Sequence, residues 1–285
     1  MEKTSATTTP VPAPFLGSVF EAGVEPVTAT GFNYHPEYIA LHGVRVHNAI
    51  DFDLPRGSRI LAPADGYYVS TYGESLIHNH DGSPRKLSRG QALEKNPVNE
   101  DINPPDDEQE WEVFFGSYVI QGWHSNGRYT QYAHVDWVVP AIPYYPPETI
   151  RNDGNETGDL KHSSFLRALV SEYRKPGAAA FIKAGDVIAE LGMTGCGWGQ
   201  RCYDFAVLGA DGRPDFRGVN YTYYLEPHLH FAAFGRAPRT RTPKTFDPFG
   251  IYGQFDEGYP KSRGQWHQRQ PSAKHQPLWL NQQKA

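Results

Sequence analysis

From Gly43 onward the chain is organised as short apolar runs broken by turn residues. The stretch VRVHNAIDF at 44–52 alternates, and a period of two sends successive side chains to opposite faces of a strand. SRILAPADGYYVSTYG at 58–73 reads as a strand, a Pro-Ala-Asp-Gly turn and a second strand. EVFFGSYVIQGW at 112–123 and GRYTQYAHVDWVV at 127–139 are two further strand patterns, and the HSNG between them predicts a β-hairpin. IKAGDVIAELGMTG at 182–195 restores strands around a Gly-Asp turn, and HLHFAAF at 228–234 is the last strong strand. One segment breaks the rule. In HSSFLRALVSEYRK, Phe165, Leu166, Leu169, Val170 and Tyr173 recur at helical spacing. They predict a helix of three or four turns capped by Ser163 or Ser164.

The pattern divides the chain. Residues 1–30 read as an extended tail, 31–252 as one domain, and 253–285 as a Gln-, Arg- and Pro-rich C-terminal extension. Two polar or Pro-rich stretches, at about 72–111 and 140–180, read as inserts in that domain, the second carrying the helix at the domain edge. Composition agrees with many turns: 28 Gly and 24 Pro make roughly 18% of 285 residues, against a usual ~12%. The expected fold is mainly β, an antiparallel sheet domain with a groove across the sheet.

Charge and hydropathy narrow the function. A formal net charge of −5 offers no basic face for nucleic acid. No apolar run reaches about 18 residues, so no spanning helix is expected. The N-terminal MEKTSATTTPVPAPF lacks the basic-then-apolar layout of a signal peptide. That leaves open a cytosolic protein or a trimmed mature form. The two cysteines, Cys196 and Cys202 in GCGWGQRC, stand close enough in sequence to bridge in a Gly-rich loop, or to remain two reduced thiols. A disulfide would point to an oxidising compartment.

Three stretches carry candidate chemistry: His47 and Asp51 in HNAID, His134 in QYAHV, and His228 and His230 in HLH. Residues two apart on a strand share a face, so His228 and His230 point together, away from Leu229 and Phe231. His47 and Asp51, four apart, share a face of a strand or a helix, and the flanking Val44, Val46 and Ile50 favour the strand. Burying several imidazoles and a carboxylate costs several kcal/mol, on the order of that of any unpaired buried charge, unless something pairs them. A divalent metal pairs them all, and a His/Asp/His set matches catalytic zinc with its fourth position left for water.

Taken together, HNAIDFDLPRGSRILAPADGYYV, YAHV, IKAGDVIAELGMTG and PHLHFAAF resemble the M23 metallopeptidases, the lysostaphin/LytM-type endopeptidases that cut peptidoglycan. DPFGIYG at 247–253 is similar to the segment that closes the domain in some members. The resemblance implies a lysostaphin/LytM-type sheet fold and one zinc ion held by His47, Asp51 and His230. It makes His134 and His228 the unligated catalytic histidines, which relay the proton of a metal-activated water and stabilise the oxyanion. It also implies a cell-wall peptide substrate and an extracellular or periplasmic location.

The sequence departs from that pattern at Ala49, where the family has Gly in HxGxD, and in its two long inserts. These keep a second reading open: a catalytically silent M23-like module that binds cell wall or regulates another hydrolase. Other histidines fit simpler roles. His78 and His80, in the polar IHNHDGSP, read as a solvated loop, and His35, His42 and His124 as surface residues or as groups orienting a ligand. A cupin-type site would need a carboxylate soon after His230, and FAAFGR has none.

Overall fold

The computed structural model describes residues 13–24, 27–32, 47, 49–76, 81–84, 86–88, 109–146, 178–194, 196–198, 202–219, 227–235, 245–251, 259 and 277–280. The helix expected within HSSFLRALVSEYRK, and His35, His42, His78 and His80, lie outside them, as do the side chains of Cys196 and Cys202 and so the choice between disulfide and free thiols.

Sixteen strands form among the described residues. In chain order they are β1 (Val27–Thr30), β2 (Ile50–Asp53), β3 (Arg59–Leu61), β4 (Gly66–Leu76), β5 (Lys86–Leu87), β6 (Trp111–His124), β7 (Tyr129–Ala133) and β8 (Val135–Val138). There follow β9 (Tyr144–Tyr145), β10 (Ala180–Ile182), β11 (Val187–Leu191), β12 (Cys196–Trp198), β13 (Val207–Leu208), β14 (Pro214–Asp215), β15 (His228–Phe234) and β16 (Thr245–Phe246). The largest sheet runs β1-β2-β15-β7-β6-β4-β10, with four short strands attached to it. A three-stranded sheet, β3-β11-β8, and the β13-β14 ribbon complete the fold. Among the strand pairings of the described residues only β4–β9 is parallel. The chain is mainly β and antiparallel, as its alternation predicts.

The core lies between the two larger sheets. Ile50, Phe52, Tyr68, Tyr72, Ile120, Tyr132, Leu229 and Phe231 from the large sheet pack with Ile60, Val135, Val138, Ile188 and Leu191 from the small one. Burying one such side chain contributes roughly 1.5–3 kcal/mol. The Pro-Ala-Asp-Gly and Lys-Ala-Gly-Asp turns do not close hairpins. Each carries the chain from one sheet to the other, between β3 and β4 and between β10 and β11. They also bond to each other: Gly185 N–H donates to Ala62 O at 2.8 Å, Ala62 N–H to Asp186 O at 2.9 Å, and Ala184 N–H to Asp65 Oδ1 at 2.8 Å. Gly185, at φ 90°, supplies the left-handed turn residue.

Two regions differ from the sequence expectation. β4 runs on to Leu76, five residues into the stretch whose composition reads as loop, because it keeps pairing with β6 as far as Leu76↔Phe114. The described parts of the terminal stretches pack into the core. Leu16, Val19 and Phe20 are fully buried, Leu16 bridges Trp279, and Trp279 stacks on Phe231 with ring centroids 5.3 Å apart. A few apolar residues in an otherwise polar tail are enough to dock it.

Candidate functional site

β2, β15 and β7 lie side by side, and their register sets the site. His230 pairs with Asp51 across β15–β2 and with Ala133 across β15–β7, so His134 follows at the end of β7. Along β15 the pattern alternates as expected: Leu229 and Phe231 are fully buried in the core, while His228 and His230 remain partly exposed on the other face.

Three side chains from two distant segments converge there. His230 Nδ1 lies 2.9 Å from Asp51 Oδ1, His47 Nε2 lies 3.1 Å from Asp51 Oδ2, and the two ring nitrogens are 3.3 Å apart. All three side chains keep some exposure, 17% for His47, 14% for Asp51 and 23% for His230, so solvent reaches the cluster. His47 Nδ1 lies 2.9 Å from the Gly31 carbonyl. A carbonyl only accepts, so Nδ1 carries the hydrogen and a neutral His47 presents its Nε2 lone pair to the cluster.

This donor set fits a divalent cation. A single proton can bridge one pair of these atoms, whereas one cation satisfies both nitrogens and the carboxylate at once. A hydrogen bond from the far ring nitrogen to a carbonyl is also the usual support of a metal-binding histidine. Burial pushes the Asp51 carboxyl up, but the hydrogen bonds and charge of His230 and His47 outweigh it and hold it well below the usual carboxylate range. Burial drives His230 below its ordinary value, partly offset by Asp51. A deprotonated carboxylate and a neutral imidazole are the forms a metal needs.

His134 and His228 stand beside the cluster. Their ring centroids are 4.6 Å apart, and His134 is 5.8 Å from His230 by the same measure. His134 is buried, and that burial, reinforced by His228 and His230, pushes its imidazole well below the ordinary range. Its imidazole is therefore neutral. Its φ of 67° is the only positive value among the described non-glycine residues. This left-handed kink falls where the chain leaves β7 in the large sheet for β8 in the small one. It costs roughly 1–2 kcal/mol and persists because neighbours hold it.

Sequence reasoning named all five of these residues. It missed the groups around them: the Gly31 carbonyl, Ser117, Thr194 and the buried Asp136, which Arg56 grips at 2.5 Å. Thr194 lies within the quoted GMTG, but Ser117 carries no local signal. His124 is a correction. It is buried rather than on the surface, with Nδ1 3.0 Å from the Asp65 carbonyl and Nε2 3.0 Å from Thr130 Oγ1. Ala49 is fully buried against Tyr129, Ala232 and Phe234.

No family model matches the sequence, and no curated protein matches it. Among solved structures the chain is similar to Csd3 from Helicobacter pylori, with a TM-score of 0.34, 14% identity, and 83% of this chain and 34% of that one covered. It is similar to a zinc-containing peptidase from Vibrio cholerae, with a TM-score of 0.32, 16% identity, and coverage of 82% and 39%. A third is the catalytic domain of EnpA, a prophage-encoded M23 protein from Enterococcus faecalis, with a TM-score of 0.33, 11% identity, and coverage of 82% and 95%. The chain thus spans 34% of the first and 39% of the second. At TM-scores below 0.5 these likenesses carry no weight for function, which rests on the chain's own residues.

Proposed function

We propose that the chain is a zinc-dependent endopeptidase that hydrolyses peptide bonds of peptidoglycan or similar cell-wall peptides outside the cytoplasm. Its catalytic unit is assigned to residues 31–252, with inserts at about 72–111 and 140–180 and extensions at either end. The observation that carries the reading is the convergence of His47, Asp51 and His230 within 3.3 Å of one another beside a second pair of histidines.

His47 Nε2, one or both Asp51 oxygens and His230 Nδ1 would hold one zinc ion. When bound, zinc lowers the pKa of a water toward ~7 and polarises a carbonyl oxygen. His134, neutral and with its Nδ1 hydrogen committed to Thr194, takes a proton at Nε2. His228, packed against it, is the second imidazole in reach of the reacting carbonyl and supplies a hydrogen bond to the oxygen where negative charge develops. Neither histidine is needed to hold the ion. Replacing one should therefore separate binding from turnover.

Ala49 does not argue for a silent module. Its methyl packs among Tyr129, Ala232 and Phe234, none of which belongs to the cluster. The test is zinc content and cleavage of cell-wall peptides, with and without a chelator. One ion per chain and chelator-sensitive cleavage support the proposal. A chain that binds zinc and leaves every such peptide intact overturns it.

A further inference from the structure

We propose that Thr194 is a positioning residue that fixes the tautomer and orientation of His134, an inference that rests on the peptidase reading only for its kinetic arm. His134 is held at three points. Its backbone N–H donates to Ser117 Oγ at 2.8 Å, its carbonyl accepts from Gly192 N–H at 2.9 Å, and its ring Nδ1 sits 2.5 Å from the Thr194 carbonyl. Ser117 Oγ is 3.5 Å from the same Nδ1, at the outer limit of a hydrogen bond, so the hydroxyl holds the backbone and the carbonyl holds the ring. Because a carbonyl has no hydrogen to give, it dictates Nδ1–H and leaves the lone pair on Nε2, the atom that must take a proton.

That carbonyl is itself fixed by the side chain of the same residue. Thr194 is fully buried. Its hydroxyl accepts from Tyr118 N–H at 3.2 Å and donates to Val135 O at 3.0 Å. One hydroxyl therefore ties β6, the residue after His134 and the segment after β11 into a single arrangement. The left-handed kink at His134 needs such a tie, since nothing in its own φ preference keeps it there. Valine has nearly the shape of threonine but neither accepts nor donates. Thr194→Val removes the tie, leaves the Tyr118 N–H without its acceptor and frees the carbonyl to tilt. Serine keeps the hydroxyl.

The test uses the full chain with ¹⁵N-labelled histidine, with and without zinc, and reads the His134 ring nitrogens by NMR, assigned by their loss in His134→Gln. Wild type and Thr194→Ser should show the Nδ1–H tautomer, and Thr194→Val a mixture of both. Thr194→Val should lower kcat roughly 10- to 100-fold, with KM and zinc content unchanged and Thr194→Ser restoring the rate. A wild-type ring protonated at Nε2, or a Thr194→Val ring unchanged from wild type, overturns the inference. If Thr194→Val does not fold, the wild-type and Thr194→Ser tautomers decide it. A chain that cleaves no cell-wall peptide sinks the peptidase reading and leaves the NMR result standing.

Discussion

Replacing Gly192 by alanine tests how the His134 kink is built. A Cβ at Gly192 would overlap the Asp136 carboxylate and come within 2.6 Å of the Asp136 backbone nitrogen. Gly192 is not among the positive-φ glycines, so the obstacle is close approach rather than backbone conformation. The carboxylate is occupied: Arg56 Nε lies 2.5 Å from Oδ2, and Met193 N–H donates to Oδ1 at 3.3 Å. Relief requires the 134–136 segment to shift or the Asp136 side chain to leave Arg56. Overpacking alone costs about 1–3 kcal/mol. Parting a buried ion pair costs about 3–5 kcal/mol, less here because Arg56 keeps 29% of its side-chain exposure. The expected loss is about 3 kcal/mol, or roughly 6–12 °C in Tm for a chain of this size. The assay is equilibrium urea unfolding, with Gly73→Ala as control, since a Cβ there meets nothing within 4 Å. That control should be neutral or gain up to about 1 kcal/mol. If Gly192→Ala stays within about 0.5 kcal/mol of wild type, or costs no more than the control, the close-packing account of the kink fails.

Further outcomes follow from the same geometry. Ala49→Gly should cost about 1–2 kcal/mol, from a lost buried methyl and a freer unfolded backbone, without raising turnover. A faster Ala49→Gly enzyme would show that the methyl obstructs the site. His134→Gln should retain one zinc by metal analysis while losing roughly 10²- to 10⁴-fold in rate, whereas equal loss of zinc would make His134 a ligand. Asp51→Asn removes the charge that both candidate ligand histidines face. Its zinc affinity, read by competition with a chromophoric chelator, should fall by more than the ~10–100-fold typical of losing an outer hydrogen-bond partner. His124, held neutral by burial that lowers its pKa, binds its proton more readily when unfolded. Its contribution is intact above about pH 6.5 and is lost as pH falls below that value, at up to about 1.4 kcal/mol per unit. Urea midpoints at pH 7.5 and 5.5 should diverge less in His124→Gln than in wild type, and equal divergence would acquit His124.

The candidate side chains were legible because they sit in or beside strands whose alternation is visible locally: Asp51, His228 and His230 lie within β2 and β15, His134 directly follows β7, and His47 lies just ahead of β2. HLH carries two histidines between apolar neighbours, and HNAID puts an acid four residues after a histidine. What surrounds them was not legible. Ser117 meets His134 across 17 residues, and Thr194 meets it across 60. His124 looked like a surface residue because its partners, Asp65 and Thr130, reach it through strand register and turn geometry rather than through neighbouring sequence. The docking of the described terminal residues was not legible either, for the opposite reason. The composition of the terminal stretches is dominated by polar residues and proline, while the docking depends on a few apolar side chains such as Leu16, Phe20 and Trp279.

The register of β2 against β15 joins these two kinds of information. Asp51 and His230 are 179 residues apart, yet they face each other because Ile50 pairs with Phe231 and Phe52 with Leu229 on the far side of the same two strands. Those four apolar side chains are fully buried. A slip of one residue would turn Asp51 into the core and Phe52 toward the histidines, so the hydrophobic face forbids it. The alignment of the candidate metal ligands is thus specified by neighbours whose side chains face away from them. Enlarging or shrinking Leu229 or Phe52 should therefore disturb zinc affinity as well as stability, while changes of similar size elsewhere in the core, such as at Ile188 in the small sheet, should disturb stability alone.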